Sequence, residues 1–211
     1  MKFTDGLWLV REGYEINFAR DVRDIQEKEN EVVIYAPCKK IEHRGDTLNT
    51  PMLTIHLTSP RENVIRVQAY HHKGGINRNP NFEVIEEQTN TTLSSDEKEV
   101  VFASGNLKAK ISRDNFWIDF VNEQGKLTHI DPKGIARIKG PKKESYLRGQ
   151  LNLGVGERIY GLGERFTPFV KNGQVVDTWN KDGGTSSEQA YKNVPFYLSN
   201  KGYGVFVNHP E

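Results

Sequence analysis

The sequence predicts an all-β chain, an antiparallel β-sandwich with only a few short helical turns. Three observations predict it. Apolar residues recur with a period of two, glycine- and asparagine-bearing turns separate the runs, and helix signals are scarce. In Leu107-Lys108-Ala109-Lys110-Ile111 the apolar side chains fall on one face and the lysines on the other. Met52 to Leu57 sets Leu53, Ile55 and Leu57 together, and Val64 to Tyr70 does the same with Ile65, Val67 and Ala69. Such runs are half-buried antiparallel strands. Glu31 to Ala36, Glu99 to Ala103, Phe116 to Val121 and Gly204 to Asn208 are shorter runs rich in β-branched or aromatic residues. Ser104-Gly105-Asn106, Glu123-Gln124-Gly125-Lys126 and Asn200-Lys201-Gly202 read as hairpin connections. Ser186-Ser187-Glu188-Gln189 fits a capping box, and Pro195 limits whatever starts there to a turn or two. Many short strands with regular turn signals point to a sandwich or barrel rather than βαβ units.

The composition supports a packed core and excludes several partners. Of 211 residues, 36% are hydrophobic and 10% aromatic, enough for one large domain. Twenty-nine basic and 28 acidic residues leave a net charge of +1, so neither disorder nor a field for nucleic acid is expected. Lys39-Lys40 and Lys142-Lys143 are short clusters flanked by acids, and read as solvated loops. No stretch approaches a membrane span and the N-terminus lacks a signal-length apolar core, so no membrane partner is expected. One cysteine, Cys38, fits a reducing compartment, and the expectation is cytoplasmic. The sequon at Asn90-Thr91-Thr92 has no consequence there.

Candidate chemistry concentrates between Gly154 and Asn208. The glycines of Gly154-Val155-Gly156-Glu157 and Tyr160-Gly161-Leu162-Gly163-Glu164 do not open a helix after a strand, and no Gly-Lys-Ser/Thr follows. They fit a chain that turns with positive φ or passes close to another backbone. Trp179-Asn180-Lys181-Asp182 ahead of Gly183-Gly184 has the composition of a sugar contact. An indole can face C–H groups while amide and carboxylate take hydroxyl hydrogen bonds. The same residues also suit a core tryptophan with Asp182 capping a turn, and residue types alone leave both readings open. His71-His72 on a strand would point to opposite faces, and no ligand partner stands at metal spacing. Cys38 lacks a neighbour that would lower its thiol pKa. Glu86-Glu87 and Asp96-Glu97 read as solvated charge; a retaining glycosidase needs carboxyl groups converging to roughly 5 Å.

Five ordered motifs carry a resemblance. They are Leu153-Gly154-Val155-Gly156-Glu157, Tyr160 to Phe166, Thr178 to Thr185, Gln189 to Tyr197, and Gly202 to Pro210. With the opening Lys2-Phe3-Thr4-Asp5-Gly6-Leu7-Trp8-Leu9, they resemble glycoside hydrolase family 31, most closely its bacterial cytoplasmic α-xylosidases. The resemblance implies a galactose-mutarotase-like supersandwich placed before a (β/α)8 barrel. Residues 1–211 would be the N-terminal sandwich domain, cut before its last strands and the barrel; the strand-like run that stops three residues short of Glu211 fits this.

It implies a retaining α-glycosidase of α-xylosidase or α-glucosidase type, acting on an α-linked xyloside or glucoside without metal or cofactor, in a homo-oligomeric parent. The aspartate nucleophile and acid/base would lie beyond Glu211, so no residue here is catalytic and this chain alone is expected to be inactive. A sandwich loop at the leaving-group subsite would correspond to Asn180-Lys181-Asp182, with Asp182 on a sugar hydroxyl and Trp179 positioning the loop. Lys181 stands where the family often has arginine, and the planar fork is lost. Two rivals are a free-standing carbohydrate-binding sandwich and an aldose epimerase, the latter needing a histidine and a carboxylate in one groove.

Overall fold

The structure is a computed structural model of the chain. It describes residues 3–5, 9–72, 74, 85–181 and 188–209. The chain divides into two compact units, Met1–Arg78 with Phe82–Asn152, and Asn79–Asn81 with Leu153–Glu211.

The first unit holds β1 (Thr4–Asp5), β2 (Leu9–Val10), β3 (Glu15–Phe18), β4 (Asp24–Lys28) and β5 (Glu31–Pro37), then a single 3₁₀ turn at Arg44–Thr47. It continues with β6 (Met52–Arg61), β7 (Val64–Tyr70), β8 (Thr91–Ser95), β9 (Glu99–Ser104) and β10 (Leu107–Ser112). It ends with β11 (Ile118–Asn122), β12 (Gly125–Ile130), β13 (Ile135–Lys139) and β14 (Ser145–Gly149). Beside the small β1-β2 pair, its sheets run β4-β5-β6-β7, β12-β11-β10-β9-β8 and β14-β13-β3, with antiparallel ladders.

Register explains the core. Across β5 and β6 the apolar residues face one another directly, Val32 to Leu57, Ile34 to Ile55 and Ala36 to Leu53, and all six are fully buried. Across β9, β10 and β11 the rows are Val100–Ile111–Ile118 and Phe102–Ala109–Phe120. Small Ala109 leaves room between two phenylalanines, the alternation of volumes that close packing requires. These two sheets share one apolar cluster, with Ile65, Val67 and Ala69 of β7 at its margin, and that is a sandwich. Lys110 lies on the far side of its sheet, 3.8 Å from Glu99. The ladder between β6 and β7 slips between Thr58 and Arg61, where Pro60, lacking an N–H, is tolerated. The all-β antiparallel reading therefore holds strand by strand.

Two local expectations change, and the structure supplies one short helical turn of its own. His71 and His72 follow β7 rather than lying within it. The structure adds a 3₁₀ turn at Arg44–Thr47, made by Asp46, whose carboxylate accepts the His43 and Glu42 amides. The helical turn expected from Ser186 starts outside the described residues, and Glu188 and Gln189 are not helical.

The second unit carries β15 (Ile159–Gly161), β16 (Phe196–Ser199) and β17 (Gly204–Phe206) in the order β15-β16-β17. Its interior is organised by a carboxylate. Glu157, whose side chain is 0% exposed, accepts the Ser199 hydroxyl and the Tyr203 phenol on Oε1, each at 2.6 Å. On Oε2 it accepts the Gly154 amide at 2.7 Å, with Lys201 Nζ 3.6 Å away. Asn172 donates to the Glu157 carbonyl and accepts the Ile159 amide. Burial disfavours the charged form of Glu157, but these donors and Lys201 outweigh it and hold the carboxyl below its ordinary range. Its charge and, above all, burial push the Tyr197 phenol up to about 12.

The other face of this small sheet is apolar and open. Phe196 pairs with Phe206 and Leu198 with Gly204, so Phe196, Leu198 and Phe206 share one side. Leu198 is 52% and Phe206 59% exposed.

Because Glu157 is held below the usual carboxylate range, its stabilisation is complete above the unfolded-state value and is lost as pH falls through the lowered one. Glu157→Gln is expected to cost about 2–3 kcal/mol near neutral pH, a fall in Tm of roughly 4–12 °C. The difference from the unaltered chain should shrink on acidification below the ordinary carboxyl pKa. Thermal melts at several pH values check this, and a deficit that stays constant into acid would contradict it.

Candidate carbohydrate-contact site

The site is built where two backbones run closely side by side. After β15 the chain passes Leu162, whose amide donates to the Phe196 carbonyl, and Glu164, whose amide donates to that of Lys192. Between them Gly163 has φ +92°, and a Cβ there would lie 2.1 Å from the Lys192 carbonyl oxygen. Only glycine allows this approach, and the glycines of this motif serve close packing of backbones, as the sequence suggested.

The result is a shallow cleft between Gly163–Phe166 on one wall and Gln189–Lys192 on the other. Phe166 and Tyr191 are exposed, and Lys192 Nζ pairs with Glu164 at 3.1 Å across it. Asn180 forms a parallel bridge with Ala190, a residue of that second wall, and the Lys181 amide donates to the Ala190 carbonyl at 2.9 Å. The Asn180 side chain accepts from Asn193 Nδ2 at 2.8 Å, and the same Asn193 amide donates to the Ala190 carbonyl at 2.9 Å.

Each residue expected at a sugar contact can now be placed. Trp179 is 74% exposed, so its indole does not belong to the core of this chain. Asn180 is exposed, but its side-chain oxygen is occupied by Asn193. Lys181 is exposed, with its backbone tied to Ala190. Asp182, with Gly183, Gly184 and Thr185, lies outside the described residues. The structure thus brings Trp179, Asn180 and Lys181 alongside a cleft carrying aromatic faces and an ion pair. Such groups suit a hydroxylated ring, which offers C–H faces to aromatics and hydroxyls to charged and amide groups.

Other titratable candidates have structural roles. Asp96 Oδ1 accepts the Lys98 and Glu99 amides, which closes a turn. Glu86 pairs with Arg66 and Glu87 with Arg61 at the surface. Burial pushes the Cys38 thiol up to about 11, although Arg137 opposes it, so the thiol is protonated at neutral pH. Burial and the positive charge of Arg137 lower the pKa of His71, surroundings opposite to those of a histidine paired with a carboxylate. Among the described residues no group of three or more histidine, cysteine or acidic side chains could hold a metal ion.

Sequence reasoning assigned no role to Asn193 or Glu157, although both lie in the quoted motifs. The one available signal was a polar side chain amid glycines and aromatics. It marks a residue that must find partners but does not name them.

Residues 54–211 match the family model of the glycosyl hydrolase 31 N-terminal galactose mutarotase-like domain. Along its whole length the chain is 45% identical to the α-xylosidase XylQ of Lactiplantibacillus pentosus and spans 28% of that protein. It is likewise 40% identical to an α-xylosidase of Emericella nidulans and spans 30% of it. Among solved structures, the cycloalternan-forming enzyme from Listeria monocytogenes, in complex with a pentasaccharide substrate, is similar with a TM-score of 0.72. That likeness covers 92% of this chain and 18% of the other at 16% identity, and is one of fold alone. With the family match running from within β6 through the cleft to Glu211, the chain belongs to glycoside hydrolase family 31, as its N-terminal galactose-mutarotase-like domain.

Proposed function

We propose that this domain serves a retaining α-glycosidase of α-xylosidase type, and that its part in hydrolysing O-glycosyl bonds is to supply the Asn180-Lys181-Asp182 element to the leaving-group subsite. The observation that carries the reading is the end-to-end similarity to two α-xylosidases, of which the chain spans less than a third. The exposed Trp179–Lys181 stretch beside an aromatic cleft supports it. So does the open face of Phe196, Leu198 and Phe206, an apolar surface of the kind that another part of a larger protein covers. The catalytic aspartates belong, in this reading, to the remainder of the parent, where loops at the C-terminal face of a barrel build the sugar pocket. A rigid sandwich that presents one more loop there restricts which leaving group fits.

Two outcomes are expected. Asp182→Ala in the full-length parent should lower kcat/KM on an α-linked xylosyl disaccharide about tenfold to a hundredfold, the loss of one hydrogen bond to a charged group. Unchanged disaccharide kinetics would remove Asp182 from the subsite. The isolated chain should release no aryl group from an aryl α-xyloside, and turnover by the pure domain would overturn the division of labour. The exposed indole would also suit a module that binds sugar unaided, and calorimetry of the chain with xylose, glucose or isoprimeverose separates the two: heat of binding favours the module.

A further inference from the structure

A single guanidinium donates to the chain just ahead of Trp179–Lys181 and again at Glu188. Arg165 Nε donates to the Leu162 carbonyl at 2.9 Å, anchoring the side chain to its own turn. Nη2 reaches the Asp177 carbonyl at 2.8 Å, two residues before Trp179, and Nη1 reaches the Glu188 carbonyl at 3.2 Å, two residues before Ala190. Nη2 also donates to Asn193 Oδ1, whose own amide group donates to the Asn180 side chain and the Ala190 carbonyl. Four of the five guanidinium donors thus meet oxygens from four separate points of the chain.

This arrangement differs from an ordinary surface arginine in two ways. All four acceptors are neutral, three of them backbone carbonyls, so the contacts depend on where the chain runs rather than on a counter-charge. The half-buried group also sits near a second cation. Burial lowers the pKa of Lys171, and the charge of Arg165 lowers it further, while Lys171 donates to Thr167 Oγ1 and the Pro168 carbonyl. The fork of donors adds to the backbone bonds of this region a single group that ties Leu162, Asp177, Glu188 and Asn193 together.

We propose that Arg165 is the positioning residue of the leaving-group loop. Its planar fork sets the path of Trp179–Lys181 by clamping Asp177 and Glu188, and Asn193 relays that placement to the Asn180 side chain. Arg165 touches no sugar and acts only through the loop, so this role rests on the subsite reading given above.

The test has one arm independent of that reading. In this chain, Arg165→Lys keeps the charge and loses the fork. Exchange of the Lys181 amide, bonded to the Ala190 carbonyl, should accelerate about tenfold or more by NMR. The Asn200 and Ser199 amides, bonded to the Arg158 and Tyr203 carbonyls and outside the reach of Arg165, serve as controls and should change by less than about twofold. Asn193→Ala is the second variant, keeping the guanidinium and removing the relay, and it carries the test if Arg165→Lys does not fold. Unchanged Lys181 exchange overturns the proposal, as does equal acceleration at all three amides, which marks general loosening. In the parent enzyme, Arg165→Lys should lower kcat/KM on a disaccharide about tenfold while sparing α-xylosyl fluoride, which has no sugar as leaving group. Selective acceleration at Lys181 together with an equal loss on both substrates would leave the clamp in place and remove the subsite reading.

Discussion

The larger unit depends on one constraint: residues directly opposite on neighbouring strands must put their apolar side chains on the same side. Val32, Ile34 and Ala36 meet Leu57, Ile55 and Leu53, and the rows Val100–Ile111–Ile118 and Phe102–Ala109–Phe120 meet across the second sheet. A slip of one residue in either ladder would turn a whole set of these side chains to solvent. The hydrophobic effect therefore selects register as well as fold, at about 25 cal/mol for each Å² of apolar surface removed from water. Turns such as Ser104-Gly105-Asn106 then need only be compatible, with Gly105 at φ +55° and the Asn106 amide held by Asn63 Oδ1.

The smaller unit is held differently. Its sheet has three short strands and one face with large apolar side chains in the open, so its ordering leans on polar side chains that reach the backbone. Glu157 gathers the Gly154 turn, Ser199 at the end of β16 and Tyr203 into one buried point. Arg165 and Asn193 do the same for the irregular chain around Asn180 and Ala190. Hydrogen bonds to charged groups suit this task because each is stronger than a neutral one and each fixes a direction. The domain thus combines a region shaped by apolar packing with a region shaped by polar ties, and the residues proposed to meet sugar belong to the second.

That split also decides what could be read in advance. The sequence by itself determined the all-β class, the larger strands and their inward residues, because a period of two is a local property that burial then enforces; Leu107 to Ile111 and Met52 to Leu57 are the clearest cases. It also determined membership of the family, since the ordered motifs after Leu153 survive as a pattern of residues. Only the tertiary structure decided the rest. Proximity of Arg165 to Asp177 and Glu188, and of Glu157 to Ser199 and Tyr203, depends on loop paths with no periodicity. The exposure of Trp179 depends on what packs around it rather than on what an indole prefers. Local pattern specifies which face of a strand is buried; which distant side chain satisfies a buried charge is settled when the chain closes on itself.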